Sequence, residues 1–247
     1  MPRHLKFMIH ASRAALAVAI GVAALSAAAQ IQRLAPAPPG CGETHNTYGP
    51  FDYRTAQQSQ RWIVEIAHFT HGVETLTKGA TGPFGGDIGY TLAVFPNHPR
   101  AIQTLERLVE KQKADPAPGT DMTVECYYAR GIAFAPDDLV FRMFYVSYLI
   151  RRNRPDEARK FLDYAAEKGA ESPLTQFNAG MLFFDMKDYD RALAQAHRAI
   201  AMGMTRTELR DRLKAVGRWK DPEPVEVLDA AASAAQSASA VASQPSR

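Results

Sequence analysis

Glu65, His68, His71 and Glu74 recur three residues apart, and on one helix that spacing can turn two imidazoles and two carboxylates the same way. Such nitrogen and oxygen ligands suit a divalent metal. The order Glu-x-x-His-x-x-His-x-x-Glu matches no recognised metal motif, however, and Gly72 interrupts the helix that would align it. The competing expectation is a packed or surface histidine pair, with His68 bonded to an N-terminal arm. Further on, Gly82-Pro83-Phe84-Gly85-Gly86-Asp87 precedes a helical segment, where free backbone N–H groups can hold an anion. No Lys-Ser or Lys-Thr pair follows and a proline lies inside, so the expectation is a turn between helices rather than a nucleotide loop. No Gly-x-Ser-x-Gly is present. The reading is a chain that is not an enzyme and takes no cofactor and no metal. Its alternative is an accessory envelope enzyme or metal-binding protein with a site near His68 and His71.

Redox chemistry rests on Cys41 and Cys126, the two cysteines of the chain. An even number in an oxidising compartment points to a disulfide, while two buried thiols are the other possibility. The compartment is read from residues 1–29, which have a basic start (Arg3, Lys6, Arg13), an apolar run from Ala14 to Leu25 and the small residues Ala27-Ala28-Ala29. This is a secretory signal with cleavage expected after Ala29 and a periplasmic destination. An uncleaved leader would be the chain's one route to a membrane, although the run is short for a span. The formal charge of +3 comes from this segment, since three basic residues and no acidic one precede Gln30. Nothing in the charge of the remainder favours nucleic acid or anionic lipid.

The elements that must position these residues are helical. Residues 30–54 form a linker and an N-terminal arm, in which Leu34 to Gly42 is rich in Pro and Gly and Tyr48-Gly49-Pro50-Phe51-Asp52-Tyr53 reads as a packed segment. Helical spacing of apolar residues places helices over Thr55 to Phe69, Pro99 to Lys113 and Met122 to Phe134, with Asp87 as the N-cap of one through Val94. Hairpins follow at Asp138 to Lys168 and Ser172 to Met202, turning at Asn153-Arg154-Pro155 and Lys187-Asp188. Arg206 to Val216 reads as a capping helix, and 219–247 as an Ala/Ser-rich disordered tail.

Asp156-Glu157-Ala158 and Asp190-Arg191-Ala192 sit 34 residues apart, and the same shift pairs Val146 with Gly180, Leu149 with Phe183 and Ala165 with Ala199. With Gly180, Tyr189-Asp190, Ala192 and Ala199 in one unit, this pattern resembles a tetratricopeptide repeat. The stretch from Cys41 through His68-Phe69-Thr70, Phe95-Pro96-Asn97-His98 and Cys126-Tyr127-Tyr128 also resembles a group of exported bacterial repeat proteins. The resemblance implies an all-α helical-hairpin solenoid over 55–218, clearest at 139–172 and 173–206, whose concave groove holds a protein or peptide partner. In that register Met143, Ser147 and Arg151 face the groove from one hairpin, and Phe177, Asn178, Met181 and Asp185 from the next. Mass spectrometry of the exported protein checks the cysteines: alkylation without reductant should leave the mass unchanged, and two added alkyl groups would show free thiols.

Overall fold

The computed structural model describes Cys41 and residues 48–222; the leader, the linker up to Gly40 and the tail beyond Pro222 lie outside the described residues. The chain is all-helical there. Ten α-helices follow one another: α1 (Gln58–His68), α2 (His71–Glu74), α3 (Phe84–Val94), α4 (Pro99–Gln112), α5 (Val124–Phe134), α6 (Leu139–Arg151), α7 (Pro155–Lys168), α8 (Pro173–Asp185), α9 (Tyr189–Ala201) and α10 (Glu208–Ala215). They fall into two compact units, one reaching to Glu171 and one beginning at Ser172. None is long and apolar enough to cross a membrane.

Local chemistry sets these boundaries. Proline opens α4, α7 and α8, where its missing N–H costs nothing. Thr123, Asp138 and Ser172 accept the orphan N–H groups of Cys126, Phe141 and Thr175. His98 does the same with its imidazole, Nδ1 accepting the Ala101 N–H at 3.2 Å. The expectation for Asp87 is corrected: α3 begins earlier, at Phe84 behind Pro83. The buried Asp87 carboxylate instead takes the N–H groups of Ala80 and Thr81 and the Thr81 hydroxyl, so it shapes the loop before the helix.

In the first unit, α3 and α4 join through Phe95-Pro96-Asn97-His98, and α5 and α6 join 40 residues later through Ala135-Pro136-Asp137-Asp138. The two turns share their bonds, His98 N–H to Phe95 and Asp138 N–H to Ala135, each 3.0 Å. The extra length over a 34-residue unit lies in the segment between α4 and α5. There Pro118 and Gly119 press against Gly85 and Gly86 at the start of α3, so closely that a Cβ on Gly85 would overlap the Pro118 carbonyl. These glycines serve the contact between two stretches of backbone.

The arm is packed, as its aromatic residues foretell. Tyr48, Phe51 and Tyr53 lie against Val64, Val94 and Phe95, and the Phe51 N–H donates to the Val94 carbonyl at 2.8 Å. Polar bonds complete the attachment: Asn97 accepts from the Tyr53 N–H and donates to Asp52 and Asp138, while Arg54 pairs with Asp52 and Asp137. At the arm's other end, Cys41 and Cys126 sit at disulfide distance, their sulfurs 2.10 Å apart. Closing a loop over a sequence separation of 85 residues stabilises the fold by about 4.6 kcal/mol in the chain-entropy account.

The repeat survives in backbone detail. Asn153 and Lys187, 34 residues apart, both take positive φ (58° and 61°), and the next residue's N–H bonds back to Leu149 and to Phe183 respectively. Ala158 and Ala165 are buried in one hairpin, as are Ala192 and Ala199 in the other. In the second unit α10 packs on α8 and α9, with Leu209 set over Gly180, where an added Cβ would collide with it. In the first unit the missing side chain of Gly131 leaves room for the Phe141 ring and the Pro96 carbonyl. Gly131→Ala should therefore lower stability by about 2–3 kcal/mol in urea unfolding, as overpacking of a filled core does; a loss below about 0.5 kcal/mol would contradict this packing.

Candidate functional site

Along α4 the apolar stripe of Ile102, Leu105 and Val109 contains one acid, Glu106. Its residue surface is only 8% exposed, and its carboxylate is taken up on both sides, by the Tyr128 hydroxyl from α5 and the Arg151 guanidinium from α6. This carboxylate forms the floor of an open cleft of about 380 Å³ lined also by Gln103, Arg107, Glu110, Phe144 and Ser147. Three helices build it. From α4 come the acids, Gln103 and Arg107, from α5 the phenol, and from α6 an aromatic wall, Phe144, with Arg151 about two turns beyond it.

Burial pushes the Glu106 carboxyl up from its ordinary range, against the opposing pull of Tyr128 and Arg151. Burial also drives the Tyr128 hydroxyl far above its usual value, so at neutral pH it remains a donor. Arg151 donates to Ser147 Oγ at 2.7 Å, and a guanidinium cannot take the serine proton, so this contact orients the hydroxyl without activating it. A floor of fixed charge, a hydroxyl, guanidinium groups and an aromatic wall make the cleft a recognition surface for a ligand with polar and apolar parts.

The sequence-derived groove residues have distinct fates. Ser147 and Arg151 line the cleft, whereas Met143, in the same helix, is buried with 6% exposure. In the second unit Phe177 is 3% exposed and lies under the Arg206 guanidinium, 4.5 Å from its carbon to the ring centre. Arg212 of α10 donates to Asp185 at 2.6 Å and reaches the Met181 sulfur at 3.9 Å. Asn178 is half-buried. The face formed by Phe177, Met181 and Asp185 is thus engaged by the unit's own C-terminal segment, which the repeat register could not reveal. Glu106, Tyr128 and Phe144 were missed, although a lone acid inside an apolar stripe is a readable signal.

The histidine cluster is pulled apart. Arg100 binds Glu65 and Glu74, each at 3.1 Å, and the Tyr53 hydroxyl donates to Glu65 at 2.8 Å. The buried His98 ring edge faces Glu65 at 3.4 Å, outside hydrogen-bond geometry. His98, Tyr53 and Arg100 hold the Glu65 carboxyl down at about 2 against the effect of its burial. His68 turns to Asp87 at 3.4 Å and lies against the tilted Tyr90 ring, while His71 is exposed. Among the described residues no three His, Cys, Asp or Glu side chains are grouped to hold a metal ion.

No family model, curated protein or solved structure matches this chain.

Because Glu106 binds its proton more readily folded than unfolded, its contribution to stability is full below the unfolded carboxyl value and is lost as pH rises through the folded one. Glu106→Gln removes that loss. The stability difference, variant minus wild type, should therefore move in the variant's favour between pH 4 and pH 7. Urea titrations at the two pH values measure it, and a difference independent of pH would contradict the burial of this charge.

Proposed function

We propose that this chain is an exported, tetratricopeptide-like scaffold that binds a segment of another protein, in envelope or secretion machinery of the periplasm. The observation that carries the reading is the open cleft of α4, α5 and α6, which sets the Phe144 ring beside Arg107, Arg151, Gln103 and Ser147. A peptide offers the matching pair of features, an apolar side chain for the aromatic wall and carbonyl or carboxylate oxygens for the guanidinium groups.

Three further observations support it. The hairpins α6–α7 and α8–α9 keep one register down to the residue with positive φ in each turn, as repeated binding scaffolds do. The cysteine pair at disulfide distance suits an oxidising compartment. Ser147 is fixed by a guanidinium rather than by a base, which favours binding over acyl transfer. On this reading the solenoid arrangement and the groove belong to one device, with the cleft replacing the broader seven-residue face expected from the repeat register.

A photo-crosslinking residue at Phe144 tests the assignment in envelope preparations, with one at Val140, exposed on the same helix, as the control. Phe144 should give a discrete protein adduct that Val140 does not, and Arg151→Glu should reduce it at least about tenfold, as removal of a central charged contact does. Equal adducts from both positions, or an adduct indifferent to Arg151→Glu, would reject the cleft as the binding surface.

A further inference from the structure

Helix α1 is apolar on two opposite sides. Val64 points inward, packed with Val94, Phe95 and the aromatic residues of the arm. On the opposite arc, set by the 100° advance per residue, lie Ser59, Trp62, Ile63 and Ile66. Trp62, Ile63 and Ile66 are 61%, 52% and 56% exposed. Single exposed apolar residues are ordinary, but a tryptophan and two isoleucines within two turns form a patch that calls for a partner.

We propose that this arc is a self-association surface, on which a second copy of the chain docks α1 against α1 about a two-fold axis. Charge selects this occupant. The two ionic groups of α1 are turned away from the arc: Glu65 is held by Tyr53 and Arg100, and Arg61 lies over the Tyr53 ring, 5.7 Å from its centre. Ser59, Trp62, Ile63 and Ile66 carry no charge, so a two-fold pairing brings no like charges together and leaves none buried without a partner. A lipid surface fits less well. Stable membrane attachment needs a second signal besides a small apolar insertion, yet the arc holds no lysine or arginine and the chain beyond Gln30 has no net charge.

Area sets the strength. One Trp and two Ile at these exposures offer on the order of 300–400 Å² per copy, about half the contribution of each partner in a standard stable complex. The dimer is therefore weak and reversible. It is also separate from the cleft on α4, α5 and α6, so the two surfaces succeed or fail independently.

Sedimentation velocity of the exported form, residues 30–247, tests this over a range of roughly 5 to 500 µM, where weak homodimers titrate. The weight-average mass should climb from one chain toward two. The double variant Trp62→Ser/Ile66→Ser should stay monomeric with an unchanged helical circular dichroism spectrum, because its side chains point outward. Ile63→Arg, which sets like charges across the axis, should do the same. A monomer at every concentration, or a dimer that persists in both variants, would overturn the proposal. So would a monomer that sediments with phosphatidylglycerol–phosphatidylethanolamine vesicles and loses them in the double variant, an outcome that assigns the arc to lipid.

Discussion

The carboxamide of Asn97, in the turn between α3 and α4, ties the arm to that turn and to the head of α6. Its oxygen accepts the Tyr53 N–H of the arm at 3.0 Å, and its nitrogen donates to Asp52 in the arm and to Asp138 at the head of α6, at 2.8 and 2.9 Å. Asp138 in turn caps α6 by accepting the Phe141 N–H. A buried amide with both its oxygen and its nitrogen engaged gains from the low dielectric that would punish an unpaired one. The placement of α4 and α6, which carry the walls of the cleft, thus depends on a side chain in a turn, while the arm acts as a strap across both turns. The cysteine pair adds a covalent end to that strap.

Much of this architecture was legible because it rests on local rules. Pro99 at the head of α4, the turn at Asn153-Arg154-Pro155, Ser172 at the head of the second hairpin and the helical spacing of apolar residues locate helix ends to within a few residues. The 34-residue echo between Ala158 and Ala192 is recovered in burial and in turn geometry because small residues recur where helices crowd together. The even number of cysteines allowed their pairing to be expected, and Cys41 and Cys126 lie at disulfide distance. Helix α3 began earlier than expected because the Asp87 side chain turns back to the Gly79 to Thr81 loop, a tertiary preference that no local cap rule contains.

The cleft was only half legible. Ser147 and Arg151 follow from repeat register, but Glu106 belongs to another hairpin, and its pairing with Arg151 joins residues 45 apart in sequence. Register also fails where charge intervenes. Phe177 and Met181 have the side chains of a binding face, yet Arg206 at the end of the repeat and Arg212 beyond it fold over them, and nothing in the repeat pattern foretells which cations will do so. The Glu65 to Glu74 quartet fails for the same reason, since Arg100 from α4 offers both carboxylates a better partner than two distant imidazoles.

The segment between α4 and α5 lengthens the unit before α6 and spoils its periodicity. Its Pro118 and Gly119 lie on Gly85 and Gly86, over the glycine-rich opening turn of α3. The irregular stretch is in effect a stopper: by departing from the repeat it covers the glycine-rich start of α3, and the helix dipole there faces the chain's own backbone.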